Sequence, residues 1–396
     1  MKAVVLAAGQ GTRMGPLTRN TPKVMLPIAN EPVLSHVIRS AREAGIKEFV
    51  LVVGYGANII EDYFGDGSEM GVNIKYIRQE KQLGTADAVR SAQELVNDRF
   101  LVLNGDIIVS AAHIRNLIEQ KSDMVMTARI VKNPSEYGVL EIQNNRVFRI
   151  IEKSQNPPTN LANAGIYVFA LSIFDAIRRT PLSVRKEYEI TDSLQLLIDE
   201  GADVGYLELT DKWMDIGRPW DLLDANEYFL ANLKPHVSGE IEPLATLKGS
   251  ISVGEGTIIR NGSYIVGPVI IGKNCDIGPN CYIRPGTSIG DNVRIGNAVE
   301  IKNSIIMKGT HIGHLSYVGD SIIGERCNFG AGTKIANLRH DGRTIRVKLK
   351  GKLIDSGRRK LGTIMGDDVH TGINSMINVG AVVESKAMLA PGELVN

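Results

Sequence analysis

The sequence predicts an α/β protein in two parts: a doubly wound, Rossmann-like sheet with helices, followed by a left-handed parallel β-helix made of hexapeptide repeats. Two observations predict this architecture. Short apolar runs alternate with helical patterns over roughly the first 230 residues, whereas isoleucine recurs at every sixth position from Ile265 to Ile301. We therefore expect an α/β domain at 1–231, a linker at 232–246 and a β-helix at 247–396.

The first part contains three runs typical of buried parallel strands. They are KAVVLA (2–7), EFVLVV (48–53) and RFLVLN (99–104). Residues 32–45 and 85–96 lie between them and repeat apolar positions at intervals of three and four, which indicates helices. In a doubly wound sheet of this kind, ligands bind outside the carboxyl ends of the strands.

Residues 137–153 interrupt this alternation. The stretch YGVLEIQNNRVFRIIEK has a strand-like run on each side of Asn144 and Asn145. Asparagine tolerates the left-handed backbone that tight hairpin turns require. We therefore expect a β-hairpin here and a partly antiparallel sheet.

The second part has a period of six residues. Such a period gives each coil three short faces with one aliphatic residue pointing inward from each. After two five-residue steps (301 to 306 and 318 to 323) the pattern resumes and closes at Met365, Thr371, Ile377, Val383, Leu389 and Val395. Cys275 and Cys281 share the spacing, and we expect them to be packing residues stacked on adjacent coils.

Composition excludes several classes of function. The chain has 45 Lys and Arg against 44 Asp and Glu, so no basic field favours a nucleic-acid partner. Three cysteines are too few for a disulfide framework. The N-terminal stretch lacks the features of a signal peptide, and no apolar run approaches the ~20 residues of a membrane span. We expect a cytoplasmic protein without membrane or nucleic-acid partners.

A glycine-rich loop follows the first strand. In LAAGQGTRMGPLTRNTPKVMLPI, Gly9 and Gly11 allow backbone N–H groups to converge on phosphate oxygens. Arg13 and Lys23 add two cations, which suits a triphosphate that releases pyrophosphate. The loop lacks the G-K-[ST] ending of a P-loop and the acidic residue of a dinucleotide site. ATPase and dehydrogenase functions are therefore disfavoured.

The G-x-G-T-R sequence followed by P-K resembles the signature of the sugar-1-phosphate nucleotidylyltransferases. Further segments follow in that family's order: QEKQLGTADA (79–88), LNGD (103–106), EYGVLE, IIEK, NAGIYVF and WMDIGRPWDLLDAN. The resemblance implies Arg13 and Lys23 as catalytic residues and Asp106 and Asp215 as ligands of Mg²⁺. It implies a nucleotide site of Ala8, Gly9, Gly11, Gln79, Gly84 and Thr85, and a sugar-phosphate site of Gly138, Glu152, Lys153 and Asn163.

The chemistry of nucleotidyl transfer agrees with these residue types. Attack of a sugar phosphate on an α-phosphorus brings two anions together, so cations and hydrogen-bond donors must offset the developing charge. Mg²⁺ takes oxygen ligands, often one or two carboxylates plus phosphates.

The β-helix also carries polar segments that a purely structural solenoid does not need. They are RPG (284), NAVEIKNS (297), GHLSYVGD (313), NFGAGT (328) and ANLRHDG (336). Their order resembles the acetyltransferase half of the bifunctional GlmU-like enzymes, of the archaeal type. The resemblance implies His314 as general base on an amino sugar, with Glu300 orienting its ring. It implies an amino-sugar phosphate site of Arg284, Lys302, Tyr317 and Asn328, and acetyl-CoA contacts at Ala331 and Asn337.

Two features depart from the bacterial pattern. Ile373 stands where bacterial relatives have serine. Residues 338–362 form an insertion with nine Lys or Arg against two Asp. The insertion is either a solvated loop or a projecting arm that binds the phosphates of acetyl-CoA across a subunit boundary.

We therefore predict a bifunctional enzyme that uses acetyl-CoA, UTP and Mg²⁺ to convert glucosamine-1-phosphate to UDP-N-acetylglucosamine, as a homotrimer or a dimer of trimers. Two alternatives stay open: a glucose-1-phosphate thymidylyl- or uridylyltransferase of broad sugar specificity, and a regulatory subunit with a non-catalytic solenoid. The residues do not distinguish UTP from dTTP, or one hexosamine phosphate from another.

Overall fold

The computed structural model describes residues 1–396, and the chain forms two compact units. The first comprises Met1–Gln10 and Val33–Asp215. The second comprises Gly11–Pro32 and Ile216–Asn396. The glycine-rich loop from Gly11 onward and the last helix before the solenoid thus group with the solenoid. The division into compact units therefore does not follow the predicted boundary at residue 231.

The first unit is built on a mixed nine-stranded sheet. Its centre is parallel: Lys2–Ala7 pairs with Glu48–Val53 and with Phe100–Asn104, and Glu48–Val53 pairs with Asn73–Arg78. The first three of these strands are almost entirely buried, which explains their apolar sequences, whereas the edge strand Asn73–Arg78 buries only Ile74. The remaining strands of this unit are Ile107–Ile108, Met124–Ile130, Gly138–Gln143, Arg146–Glu152, Leu161–Phe169, Val204–Glu208 and Met214–Asp215.

Six helices belong to this unit. They are α1 (Val33–Glu43), α2 (Ala57–Phe64), α3 (Thr85–Ser91), α4 (Ala111–Ile118), α5 (Ile173–Arg179) and α6 (Ile190–Asp199). No helix of the chain combines the length and apolar character needed to cross a bilayer.

The predicted hairpin is confirmed. Gly138–Gln143 pairs antiparallel with Arg146–Glu152, and Asn144 and Asn145 have φ values of 50° and 62°. Leu161–Phe169 also runs antiparallel against Phe100–Asn104, and its pairing with Met124–Ile130 shifts register between Asn163 and Tyr167. This irregularity lies next to the carboxyl end of the strand Phe100–Asn104, and such a bulge changes the direction in which a side chain points, here that of Asn163.

The second unit contains three parallel sheets of eight short strands each, the arrangement expected of a left-handed parallel β-helix. The first sheet is His236–Val237, Ile251–Val253, Val269–Ile271, Thr287–Ile289, Ile305–Ile306, Ile322–Ile323, Ile364–Met365 and Val382–Val383. The second is Glu240–Ile241, Ile258–Ile259, Asp276–Ile277, Arg294–Asn297, His311–His314, Asn328–Phe329, His370–Thr371 and Met388–Leu389. The third is Thr246–Lys248, Tyr264–Val266, Tyr282–Ile283, Glu300–Lys302, Tyr317–Gly319, Lys334–Ile335, Met376–Ile377 and Leu394–Val395.

The hexapeptide period is confirmed in the packing. The isoleucines of the strict sixfold series are at most 1% exposed and form one continuous core. Ile265 pairs with Ile283, which shows that three hexapeptides make one coil. The segment predicted as a linker already contributes to the first coil, because His236–Val237 pairs with Ser252–Val253.

The prediction that Cys275 and Cys281 stack on adjacent coils is wrong. Six residues span one face of a coil rather than a whole coil, so the two thiols lie on neighbouring faces. Cys281 Sγ is 3.5 Å from Ser263 Oγ of the preceding coil. Both cysteines are buried, and burial raises the pKa of both thiols, as expected for packing residues.

One face of the solenoid is covered by other parts of the same unit. Helix α7 (Pro219–Leu230) places Asn226 against the first sheet, where its Nδ2 donates to Gly286 O and its Oδ1 accepts from Ser288 Oγ. Asn30 Nδ2, beside the short hairpin Pro27–Ile28 and Glu31–Pro32, donates to Ile289 O. This cover explains paired apolar residues in the first sheet, such as Ile305–Ile306, where one side chain points inward and the other is buried outside.

The basic insertion folds back instead of projecting as an arm. Strands Arg346–Leu349 and Lys352–Asp355 form a hairpin whose Val347 and Leu349 are buried. A Cβ built on Gly380 would lie 2.7 Å from Ile345, so the solenoid and the base of the hairpin are in close contact. Arg358 forms ion pairs with Asp224 and Glu227 on α7. The predicted arm is therefore wrong for this part of the insertion.

We expect Arg358→Ala to weaken folding without changing acetyl-CoA binding. The guanidinium is 15% exposed and its loss leaves two half-exposed carboxylates without their cation. The cost should be about 1 kcal/mol, or about 2–4 °C in melting temperature. Lys350→Ala at the exposed hairpin turn is the control and should change neither. A raised KM for acetyl-CoA in Arg358→Ala would reinstate the arm as a binding element.

Candidate functional site

The predicted metal ligands of the first unit lie at the carboxyl end of its central strand. Asp106 follows Phe100–Asn104, and Gly105 N donates to Leu6 O of the neighbouring strand. The two-residue strand Met214–Asp215 pairs antiparallel with Ile107–Ile108, which sets Asp215 opposite Ile107. The structure thus places Asp106 one residue before the strand that pairs with Asp215, and both aspartates are half-buried.

These residues fit a magnesium ion. No group of three or more His, Cys, Asp or Glu side chains in residues 1–396 could hold a metal. Mg²⁺ does not require one, because it commonly keeps several waters and binds one or two carboxylates together with substrate phosphates. Two carboxylates without sulfur or imidazole nearby are a donor set suited to this hard cation rather than to zinc.

Three predicted sugar-phosphate residues of this unit come together. A Cβ built on Gly138 would lie 2.6 Å from Glu152 Oε2 and 3.9 Å from Asn163 Cβ, so only glycine leaves this space open. Asn163 Nδ2 donates to Tyr167 Oη at 2.7 Å, and burial raises the pKa of this phenol. Lys153 is exposed at the end of the same hairpin strand, with a φ of 44°.

A second cluster of charges surrounds Glu152, and the sequence analysis did not identify it. Arg185 donates to Glu152 Oε1 at 3.1 Å and pairs with the buried Glu189 at 2.6 Å. Burial, with Glu189 and Glu152 nearby, raises the pKa of Asp192. Thr191 Oγ1 donates to Glu152 Oε2. The sequence does contain a sign of this cluster. The segment RKEYEITD (185–192) has five charged residues at the start of a helix that is largely buried.

The part of the predicted nucleotide site that lies in residues 79–88 is fixed by its surroundings. Gln79 is 7% exposed, and its Nε2 donates to Asp87 Oδ2 at 2.8 Å and to Gly84 O at 3.3 Å. Gly84 has a φ of 117°, and a Cβ there would lie 2.4 Å from Tyr188 O. Thr85 Oγ1 accepts from Ile190 N. The Gln79 amide is therefore oriented with its nitrogen inward, which leaves its oxygen for a donor.

The glycine-rich loop is divided between the two units. In the first, Ala8 O accepts from Tyr55 N and Gln82 Nε2, and Gly9 is exposed with open space around its Cβ position. In the second, Gly11 has a φ of 73° and no room for a Cβ beside Lys23. Arg13 is exposed and Lys23 is half-buried.

In the solenoid, the predicted phosphate-binding cations occupy one column. Ile283 pairs with Ile301, so the residues that follow them, Arg284 and Lys302, take equivalent positions on successive coils. Successive strands are about 4.8 Å apart, which is the right scale for two cations that share one phosphate. Arg284 donates to Glu300 Oε1 at 2.9 Å. Glu300 was expected to orient the ring of His314, but it pairs with Arg284 instead.

His314 lies at the corner between the second and third sheets. Its side chain is exposed, and it pairs in register with Asn297 of the preceding coil. Gly332 N donates to His314 O, which places Ala331 at the same corner one coil later. Asn374 N donates to Ala331 O, so the 56% exposed Ile373 occupies that corner on the next coil. An apolar side chain thus stands one coil after Ala331 at this corner.

The remaining predicted residues fall into two places. Tyr317 pairs in register with Glu300 and borders a groove of ≈ 380 Å³ that also has Lys334 and Met376 in its lining. Asn337 Nδ2 donates to Tyr317 Oη at 3.1 Å, so a residue predicted for acetyl-CoA contacts one predicted for the sugar. Asn328 is instead on the second sheet, between His311 and His370 in register.

Comparison with known proteins places both parts of the chain. The family profile described as "Nucleotidyl transferase" matches residues 2–232, and the one described as "GMPPB C-terminal domain" matches residues 265–391. Among solved structures, a UDP-glucose pyrophosphorylase complexed with UDP-glucose has a TM-score of 0.53 at 25% identity, covering 58% of this chain and 98% of its own. One described as a glucose-1-phosphate thymidylyltransferase from Bacillus anthracis has a TM-score of 0.53 at 31% identity, covering 58% and 94%.

Curated relatives match over the whole length. The "Bifunctional protein GlmU" of Methanocaldococcus jannaschii is 43% identical over 100% of this chain and 95% of its own. The "Bifunctional sugar-1-phosphate nucleotidylyltransferase/acetyltransferase" of Sulfurisphaera tokodaii is 41% identical over 100% of this chain and 97% of its own. Since the similarity spans both the mixed sheet and the solenoid, the chain belongs to the GlmU family of bifunctional sugar-1-phosphate nucleotidylyltransferase/acetyltransferases.

Proposed function

We propose that the chain makes UDP-N-acetylglucosamine in two steps. The solenoid acetylates glucosamine-1-phosphate from acetyl-CoA, and the nucleotidyl transferase part then transfers UMP from UTP to the product and releases pyrophosphate. The full-length similarity to bifunctional GlmU proteins carries this proposal. We also propose a cytoplasmic location, because three free, buried cysteines suit a reducing compartment.

In the first step His314 acts as general base. Its exposed ring takes a proton from the amine as the nitrogen attacks the thioester carbonyl carbon, and the C–N bond forms. The C–S bond then breaks, and the departing sulfur takes this proton back from the imidazolium, so that coenzyme A leaves as its thiol. Arg284 and Lys302, stacked on successive coils, hold the sugar phosphate. Tyr317 and Asn328 are assigned to the sugar, and Ala331 and Asn337 to the acetyl-CoA end.

In the second step the sugar phosphate oxygen attacks the α-phosphorus of UTP, and the bond to pyrophosphate breaks. Ala8, Gly9, Gly11, Gln79, Gly84 and Thr85 bind the nucleotide in this assignment, and Gly138, Glu152, Lys153 and Asn163 bind the sugar phosphate. Arg13 and Lys23 offset the charge of the departing pyrophosphate. Asp106 and Asp215 would hold Mg²⁺, which supplies charge neutralisation when bound.

A homotrimer or a dimer of trimers completes the proposal. The second and third sheets carry large exposed apolar side chains, including Leu315 (58%), Met388 (74%) and Leu394 (55%). A subunit interface that covered these side chains would remove their apolar surface from water. Light scattering should give a multiple of three subunits of 43.1 kDa, and a monomer would contradict this part.

A second candidate is a thymidylyl- or uridylyltransferase acting on glucose-1-phosphate. The 31% identity to the Bacillus anthracis structure favours it. A panel of UTP and dTTP against glucose-, glucosamine-, N-acetylglucosamine- and galactosamine-1-phosphate, followed by pyrophosphate and free-thiol release, separates the two. Thiol release with glucosamine-1-phosphate is the result that the alternative does not give.

Asp106→Ala and Asp215→Ala should each abolish pyrophosphate release, because Mg²⁺ would lose one of its two carboxylates. Chelation by EDTA should have the same effect. Thiol release from acetyl-CoA should continue in all three cases, which serves as the control for folding. Near-normal uridylyl transfer in either variant would remove that aspartate from the metal site.

His314→Ala should lower acetyl transfer by about 10²–10⁴-fold, the usual range for a positioned general base. Formation of UDP-N-acetylglucosamine from supplied N-acetylglucosamine-1-phosphate should be unchanged. His311→Ala is the matched control, because this exposed histidine lies on the same strand and is assigned no role. An acetylation rate within about threefold of the parent would make His314 a surface residue only.

A further inference from the structure

Asp320 is a buried carboxylate with an unusual set of donors. It is 2% exposed and lies at the corner that follows Tyr317–Gly319. It accepts from Lys302 Nζ at 3.0 and 3.3 Å, from Asn303 Nδ2 at 2.9 Å and from Asn337 Nδ2 at 2.5 Å. A buried charge is tolerated only when it is paired and hydrogen-bonded, and this one is both.

One of these donors belongs to the predicted amino-sugar pocket, and a second contacts a residue of that pocket. Lys302 is one of the two stacked cations, and its side chain is 19% exposed. Asn337 Nδ2 also donates to Tyr317 Oη. A Cβ built on Gly319 would lie 2.6 Å from both Asn337 Nδ2 and Tyr317 Oη, so the glycine leaves the space that this pair needs.

The third donor ties the network to α7. Asn303 Nδ2 donates both to Asp320 Oδ1 and to Glu227 Oε1, at 2.9 and 2.8 Å. Glu227 in turn pairs with Arg358 of the insertion. Asp320 is thereby held by donors of the preceding and following coils, and Asn303 connects it to α7.

The charge of Asp320 fixes the direction of the hydrogen bonds around it. An ionised carboxylate only accepts, so Asn337 must present its Nδ2 to Asp320, and the same nitrogen then donates to Tyr317 Oη. The phenol oxygen accepts this bond, and its own hydrogen is left to donate elsewhere. Its hydrogen is therefore available to a phosphate or hydroxyl oxygen of a ligand in the pocket.

We propose that Asp320 is a positioning residue for acetyl transfer, which orders Lys302 before the sugar phosphate binds and sets Tyr317 as a hydrogen-bond donor to the amino sugar. This inference rests on the proposed acetyltransferase function. Ordering a free lysine costs side-chain entropy, and the Asp320 contact meets that cost during folding rather than during binding. Asp320 itself touches neither the amine nor the thioester.

Asp320→Asn tests the proposal, because it keeps the shape and removes the charge. The amide can donate as well as accept, so Asn337 and Tyr317 lose their fixed orientation. We expect the KM for glucosamine-1-phosphate to rise about tenfold or more, and the KM for acetyl-CoA to stay within about twofold. Asp367→Asn is the matched control: Asp367 is a 5% exposed solenoid carboxylate that accepts from Glu325 N and lies outside this network.

A double-mutant cycle shows whether Asp320 acts through Tyr317. Tyr317→Phe should raise the same KM in the parent and add little in the Asp320→Asn background. Asn337→Ala deletes the link while keeping the carboxylate. It should raise the KM for the amino sugar, whatever it does to the KM for acetyl-CoA through the assigned contact of Asn337 with that substrate, and it provides the test if Asp320→Asn does not fold.

The outcomes distinguish a failure of the role proposed for Asp320 from a failure of the proposed acetyltransferase function. A parent enzyme that releases thiol normally, with an unchanged amino-sugar KM in Asp320→Asn and Asn337→Ala, overturns the inference alone. A lowered melting temperature with unchanged KM makes Asp320 a purely structural residue. Absence of thiol release in the parent with every hexosamine phosphate overturns the proposed function and this inference with it.

Discussion

The register of the solenoid is the constraint on which its candidate site depends. Inward aliphatic residues at every sixth position lock each coil onto the next, and a slip of one residue would turn a buried isoleucine outward. Because coils cannot slip, residues one coil apart are held at a fixed spacing of about 4.8 Å. That is why Arg284 and Lys302 form a column and why His314, Ala331 and Ile373 occupy one corner.

The fixed register also shows where the two five-residue steps of the sixfold pattern occur in the solenoid. Both fall at the corner between the third and first sheets, at Asn303 and at Asp320, whose φ values are 45° and 49°. The shortened corners turn through left-handed backbone and stack these two polar side chains on each other. An interruption of the repeat thus coincides with a buried polar network.

In both units the cations next to a predicted sugar site are held by carboxylates of the chain. In the solenoid Arg284 pairs with Glu300 and Lys302 with Asp320. In the first unit Arg185 pairs with Glu152 and Glu189. Each arrangement keeps a flexible cation ordered, so that an incoming phosphate meets a group already in place.

The sequence predicted those features that local periodicity encodes. The apolar strands, the hairpin at Asn144 and Asn145 and the isoleucine series follow from patterns of two, three to four, and six residues. The missed features depend on contacts distant in sequence. Arg185 lies more than 30 residues from Glu152, the insertion is fixed by Asp224 and Glu227 of α7, and the outward Ile305 is buried only because α7 and residues 11–32 cover its sheet. The error over Cys275 and Cys281 came from equating the repeat with the coil.

The central claim is that the rigid column of Arg284 and Lys302, beside His314, forms the amino-sugar phosphate site. A crystal structure with glucosamine-1-phosphate and coenzyme A tests it most directly. The account predicts the phosphate on both Arg284 and Lys302, the sugar amine within hydrogen-bond distance of His314, and a hydrogen bond from Tyr317 Oη to the ligand. A sugar phosphate bound elsewhere on the solenoid, with His314 remote from its amine, would contradict the account.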